Sequence, residues 1–239
     1  MTSTFLPLRL PGKLARLKRR TVETKLIQTQ SIQVGKVVTQ GDPNSKDIVD
    51  RQWTSAFNKQ RVDDSVEVLK LGIVGDSVAD SRFHGGVDKA MLCYAASHYD
   101  LWATEFPDLK MSGGALGENL TLSGATESTT CIGDTYEVGS CRLQVSQPRQ
   151  PCWKISRRWG VKTLTKHVGQ TGRTGWYVRV LQEGKISAGD EWKLTERPHE
   201  NWSVARANDI LMGREIDRMA LFEMMNMPEL ADAWKKDLP

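Results

Sequence analysis

Residues 135–152 read Thr135-Tyr-Glu-Val-Gly-Ser-Cys-Arg-Leu-Gln-Val-Ser-Gln-Pro-Arg-Gln-Pro-Cys152, and they set the expected fold. Thr135–Val138 and Cys141–Ser146 place apolar residues at every second position, the period of a half-buried strand. Gly139-Ser140 between them is a hairpin turn. Pro148 and Pro151 then stop the second strand, because proline gives the ladder no N–H and its ring fixes φ. Cys152 is thereby presented just past a strand end in a defined direction. Arg149, Lys154, Arg157 and Arg158 surround it, and no acid lies between Gln144 and Gly160. The thiolate is both nucleophile and metal ligand, and nearby cations favour it, so Cys152 is the candidate reactive centre. An inert buried thiol fits the same residues.

The same punctuation recurs on both sides of this stretch. Ile32–Thr39 alternates ahead of a Gly41-Asp-Pro-Asn-Ser loop, Val66–Leu69 forms a strand, and Ala90–Tyr94 is a compact buried one. Ser97 caps a helix that Pro107 ends, and helical turns follow Cys152 at Trp153–Trp159 and Thr163–Val168. Further strands fall at Asn119–Leu122, Trp176–Leu181 and Glu191–Leu194. Many short strands with Gly-Asp turns predict a mainly β fold with α additions, a closed or nearly closed barrel over residues 31–197. Past Arg197 the period becomes helical. Val204, Ala207, Ile210 and Leu211 form one stripe behind Ser203, and Ile216, Met219, Leu221 and Phe222 a second; Pro228 opens a third helix through Trp234. Residues 198–239 are thus a small three-helix extension that needs a surface to dock on.

The 239 residues suffice for one large domain with such an appendage. A net charge of +4 is too mild to imply a nucleic-acid binder. Its distribution is uneven, however: residues 1–30 carry Arg9, Lys13, Arg16, Lys18, Arg19, Arg20 and Lys25 against Glu23, a basic arm. Four cysteines without a C-x-x-C pair argue against zinc ribbons, iron–sulfur clusters and secreted disulfide frameworks. Cys131 and Cys141 flank the hairpin and are expected to be reduced. No apolar run approaches the roughly 18 residues of a membrane span. A cytoplasmic location is the expectation.

Three polar-glycine knots accompany the cysteine. In Asp80-Ser-Arg-Phe-His84-Gly-Gly-Val-Asp-Lys89, the backbone of Gly85 and Gly86 can turn N–H groups toward an anion and Lys89 adds charge, as in phosphate cradles. An ordinary turn and a structural His84 fit equally. Gly113-Gly-Ala-Leu-Gly-Glu-Asn-Leu120 offers Glu118 and Asn119 to a heterocycle, or serves as turn chemistry. Gly169-Gln-Thr-Gly-Arg-Thr-Gly-Trp176 is expected to be a flexible loop at a cleft rim.

Together, His84-Gly-Gly-x-Asp-Lys-Ala90, Gly117-Glu-Asn-Leu120 and Ser146-Gln-Pro-Arg-x-Pro-Cys152-x-Lys154 resemble the MOSC family, named for the C-terminal domain of molybdenum-cofactor sulfurase. The likeness is closest to its YiiM branch, bacterial proteins linked to resistance to N-hydroxylated base analogues such as 6-hydroxylaminopurine. The terminal helices resemble that branch's three-helix extension. The resemblance implies a MOSC-type β-barrel binding the molybdenum cofactor (Mo-molybdopterin), with Cys152 as metal ligand. It implies reduction of N-hydroxylated compounds: reduced metal accepts the N–O oxygen, and two electrons and protons release it as water. Gly85, Gly86, Lys89, Arg149 and Lys154 would then hold phosphate or pterin, and Asn119 and Gln147 the pterin edge. His84, with an ordinary pKa of about 6.5, would be a catalytic proton donor. With no nicotinamide or cluster fingerprint, electrons are expected from an external flavoprotein reductase; a homodimer is among the expected assemblies. Two other readings compete. One is a cofactor sulfur carrier with a Cys152 persulfide. The other is a redox-sensing or nucleic-acid-associated module using the basic arm, which is disfavoured because its cations are not interleaved with aromatics. No nucleic-acid partner is expected.

Overall fold

The computed structural model describes residues 26–238, so the basic arm expected at 1–30 lies largely outside the described residues. The first strands in the chain are β1 (Gln28–Val34), β2 (Val38–Gln40), β3 (Trp53–Ser55), β4 (Gln60–Val62), β5 (Val66–Leu69), β6 (Gly72–Ile73) and β7 (Met91–Ala95). Helix α1 (His98–Glu105) crosses over to β8 (Leu120–Ser123), which lies parallel to β7; every other pairing of named strands is antiparallel. The hairpin β9 (Thr135–Val138) and β10 (Cys141–Pro148) follows, then α2 (Lys154–Trp159) and α3 (Leu164–Thr171). Strands β11 (Trp176–Gln182), β12 (Gly184–Ile186) and β13 (Trp192–Glu196) follow; β12, β5 and β6 form one small separate sheet, and β2 and β3 another.

The main sheet runs β13-β9-β10-β11-β7-β8-β1-β4. It curls so that its β13 edge comes back to the start of β1: Gln28 bridges Glu191, and the Trp192 N–H donates to the Ile27 carbonyl at 2.8 Å. The quoted hairpin forms in the expected register, with Leu143 opposite Tyr136 and Cys141 opposite Val138. β10 runs slightly further than expected. Pro148 still pairs with Trp176, because a proline at the last rung costs the ladder little, and the Arg149 N–H adds a bond to the Gly175 carbonyl at 3.0 Å.

The fully buried strand expected at 90–94 appears as β7, whose five residues are all buried. Met91 and Cys93 join the barrel core, whereas Tyr94 faces a second cluster with Trp102, Leu116, Ile155 and Leu164. A strand covered on both faces reads as a continuous apolar run. The second cluster packs α1, α2 and α3 over one side of the sheet, and Cys152 lies at its margin.

The extension consists of α4 (Val204–Leu211), α5 (Arg218–Met225) and α6 (Asp232–Lys235). The Ser203 hydroxyl caps α4 by accepting from the Arg206 N–H at 3.1 Å, and Val204, Ala207 and Ile210 bury into the barrel core as expected. The second stripe is a correction. Ile216, Met219 and Phe222 are 91%, 68% and 63% exposed, while Ala220 and Met224 face inward. Asp217 caps α5 through the Met219 and Ala220 N–H groups, which starts the helix after Ile216 and sets its rotation. Pro228 does not open the third helix; it stands in the preceding turn, and α6 begins at Asp232. Among the described residues, no helix is long and apolar enough to cross a membrane.

Candidate functional site

The end of β10 delivers Arg149 into the floor of a cleft. Its side chain is 3% exposed, and its guanidinium donates to the carbonyls of Leu116 (3.0 Å) and Thr174 (3.3 Å). Among the described residues, no carboxylate lies within ion-pair distance of it. Buried charge without a counter-ion is expensive, and carbonyl dipoles offset only part of that cost. Cys152 follows in the lining of the same cleft, half-buried rather than enclosed in the core. Its carbonyl accepts from the Ile155 N–H and the Thr165 hydroxyl, both at 3.1 Å, which pins the turn into α2. Lys154, the first residue of α2, is 8% exposed and likewise has no acidic partner among the described residues. It lines the cleft beside Arg149.

The loop at 80–89 supplies the facing wall. Gly85 and Gly86 have φ of +75° and +86°, a region that costs any residue with a Cβ. Gly85 lines the cleft, and Gly86 stands behind it at the start of the short 3₁₀ turn Val87–Lys89. The Lys89 ammonium also lines the cleft and donates to the Phe83 carbonyl at 3.1 Å, which closes the loop on itself. His84 meets three of these cations. Burial, then the charges of Lys154, Arg149 and Lys89, push its pKa down to about 4, with Asp80 opposing. The expected histidine of ordinary pKa is therefore corrected: at neutral pH the imidazole is uncharged unless an anion offsets its neighbours.

The Glu118-Asn119 pair is committed to the fold. Glu118 is fully buried and accepts from the Gly114 N–H (2.7 Å), the Leu116 N–H (3.1 Å), the Thr121 hydroxyl (3.1 Å) and the Tyr99 hydroxyl. Asn119 reaches the cleft wall, but its Oδ1 takes the Leu92 N–H at 3.1 Å. Its Nδ2 gives to the Gln33 carbonyl (3.3 Å) and to Asp76 (2.8 Å). It braces neighbours, and a pterin edge would have to displace one of these bonds.

Asp76 and Lys59 are cleft residues that sequence reasoning missed. They form a 2.5 Å ion pair, and Asp76 also accepts the Gly35 N–H at 2.6 Å. Burial lowers the Lys59 pKa even though Asp76 opposes it. Only the Asp in Gly72-Ile-Val-Gly-Asp76 hinted at this wall.

Gln147 is not brought to the cleft. It is buried in β10, where its Nε2 bonds the Pro148 carbonyl at 3.3 Å and its Oε1 has no partner. The loop at 169–176 is not a flexible rim either. Thr174 and Gly175 are buried and support Arg149 from behind. Cys131 and Cys141 are separate buried thiols.

Among the described residues, no three His, Cys, Asp or Glu side chains converge on one point. A metal at Cys152 would take its remaining ligands from a non-protein group. Arg149 and Lys154, neither in an ion pair among the described residues, with the positive-φ Gly85 and the half-buried Cys152 beside them, fit a group that is anionic and brings its own soft ligands.

Comparison with known proteins identifies the family. Residues 80–193 match the model of the MOSC domain, and residues 202–238 match the YiiM-like 3-alpha helix domain. YflK of Bacillus subtilis is 37% identical over 82% of this chain and 88% of its own length. A protein named "Reductase" from Gibberella moniliformis is 38% identical over 73% of this chain, which spans only 32% of that longer relative. The crystal structure of YiiM from Geobacillus stearothermophilus superposes with a TM-score of 0.72 at 35% identity, covering 88% of this chain and 96% of the other. The chain belongs to the MOSC family, in the YiiM-like group whose barrel carries a C-terminal three-helix domain.

Proposed function

We propose that the chain is a molybdenum-cofactor-dependent oxidoreductase that reduces N-hydroxylated compounds to the amine and water, consuming two electrons and two protons. The observation that supports this is Arg149: a buried cation without a carboxylate partner among the described residues, three residues before a half-buried Cys152 in one cleft. The fungal relative's name, "Reductase", supports the reaction class.

When bound, the cofactor supplies the two-electron, oxygen-accepting chemistry. The protein's residues bind and orient it. Cys152 would ligate the metal through Sγ. Arg149, Lys154 and Lys89 would neutralise phosphate and dithiolene charge, and the Gly85 backbone would allow close approach. With anionic charge beside those cations, the His84 imidazole would hold a proton at neutral pH and could supply it to the substrate oxygen. Electrons arrive from an external flavoprotein, in a cytoplasmic setting.

The test is expression in a host that makes the cofactor, metal and pterin analysis, and then reduction of 6-hydroxylaminopurine or an amidoxime by reduced viologen. Stoichiometric molybdenum with amine formation is expected. A protein that stays metal-free in that host and leaves the N–O bond intact overturns the proposal.

A further inference from the structure

The extension and the cleft are joined by a buried chain of hydrogen bonds. Asn208, on α4, is 2% exposed, and its Nδ2 donates to the Thr174 hydroxyl at 2.9 Å. That hydroxyl, 1% exposed, donates onward to the Gly175 carbonyl at 3.2 Å. Both carbonyls of this pair hold Arg149: Thr174 accepts from the guanidinium at 3.3 Å, and Gly175 from the Arg149 backbone N–H at 3.0 Å. We infer that Asn208 is a positioning residue for Arg149, acting through Thr174, so that the three-helix extension helps shape the anion end of the cleft.

The inward face of α4 is otherwise apolar, with Val204, Ala207 and Ile210 in the core. Asparagine is a poor residue for such a face, since its amide must be satisfied and it competes with the helix backbone for hydrogen bonds. A leucine would pack there without that demand. The bond to Thr174 is what the amide gains. Thr174 and Gly175 are also held independently of Arg149. The Gly175 N–H donates to the buried Glu127 carboxylate at 2.7 Å, and a Cβ on Gly175, whose φ is +80°, would fall 2.5 Å from the Cys93 carbonyl. The loop thus has one arrangement against the barrel, and Asn208 fixes the hydroxyl that completes it. A guanidinium received by carbonyls alone depends on where those carbonyls point.

The assignment of Arg149 to an anion rests on the function proposed above; the relay is testable without it. The full-length chain, prepared free of cofactor, is titrated by NMR at the His84 imidazole, which senses the Arg149 charge. Asn208→Leu and Thr174→Val are each expected to raise the His84 pKa by roughly half to one unit as the guanidinium loosens. The double variant should raise it no further than either alone. Ile210→Ala, which opens a core cavity on the same helix without touching the loop, is expected to lower stability and leave the His84 titration in place. Unchanged titration in both folded relay variants, or an equal shift in Ile210→Ala, overturns the relay. Failure of the reductase proposal would show as missing molybdenum in the unaltered protein and would leave this titration as it is.

Discussion

The guanidinium of Arg149 donates a 3.0 Å hydrogen bond to the carbonyl of Leu116, and the N–H of Leu116 donates to Glu118 at 3.1 Å. A buried carboxylate thereby braces the loop that receives a buried cation, yet the two form no ion pair with each other. The loop has one role in the fold, through Glu118, and another at the cleft, through the Leu116 carbonyl.

Arg149→Lys keeps the charge but cannot span both carbonyls with a planar fork. Retention of the bound anion is expected to fall by roughly ten- to a hundredfold, the worth of one charged hydrogen bond, with little loss of stability. Molybdenum remaining per chain through serial dialysis measures it.

Glu118→Gln replaces an acceptor of four donors with an amide that opposes at least one of them. A loss of about 2–4 kcal/mol is expected. Urea unfolding measures the loss, and weaker cofactor retention should accompany it because the Leu116 carbonyl shifts.

His84 gives the cofactor-free protein a distinct acid response. Its folded pKa is about 4, below the roughly 6.5 of an unfolded chain. Between those values the unfolded state binds a proton that the folded state refuses, so stability falls as pH is lowered through this window. The contribution is whole above the unfolded value and gone below the folded one. His84→Gln is expected to flatten urea midpoints across that range. Adding an anion to the unaltered protein should move the histidine titration upward, as NMR would show.

Cys152→Ser should leave the fold intact to within roughly 1 kcal/mol, because the turn is held by the Cys152 carbonyl rather than by its sulfur. Metal content and N–O reduction are both expected to drop to background. Full activity with cofactor bound would remove Cys152 from the metal.

Much of this molecule was legible in its sequence. The barrel strands were readable because their alternation is local and their turns are marked by glycine. Cys152, Arg149, Lys154, His84 and Lys89 were readable because each lies in a short motif that meets the others in one cleft. What failed depended on long-range partners. Asn119 looks free until β7 places the Leu92 N–H against it, and Lys59 and Asp76 have no pattern until their loops meet. Gln147, placed at the pterin edge by the resemblance alone, lies outside the cleft lining, just after a register shift in β10 between Val145 and Gln147. On α5 the apolar residues occupy more than one face, so the helical spacing of Ile216, Met219, Leu221 and Phe222 picked out a mostly exposed one.

The short span from Arg149 to Cys152 has one more effect. Arg149 is held at both its backbone and its guanidinium, and Cys152 follows Pro151, whose ring removes a torsion from the path. Cation and sulfur therefore act as two marks on a ruler. On the function proposed above, a ligand whose negative end and metal are spaced to match would engage both at once, and a longer or shorter one would meet only one. Length would then be a criterion of binding that acts before any chemistry begins.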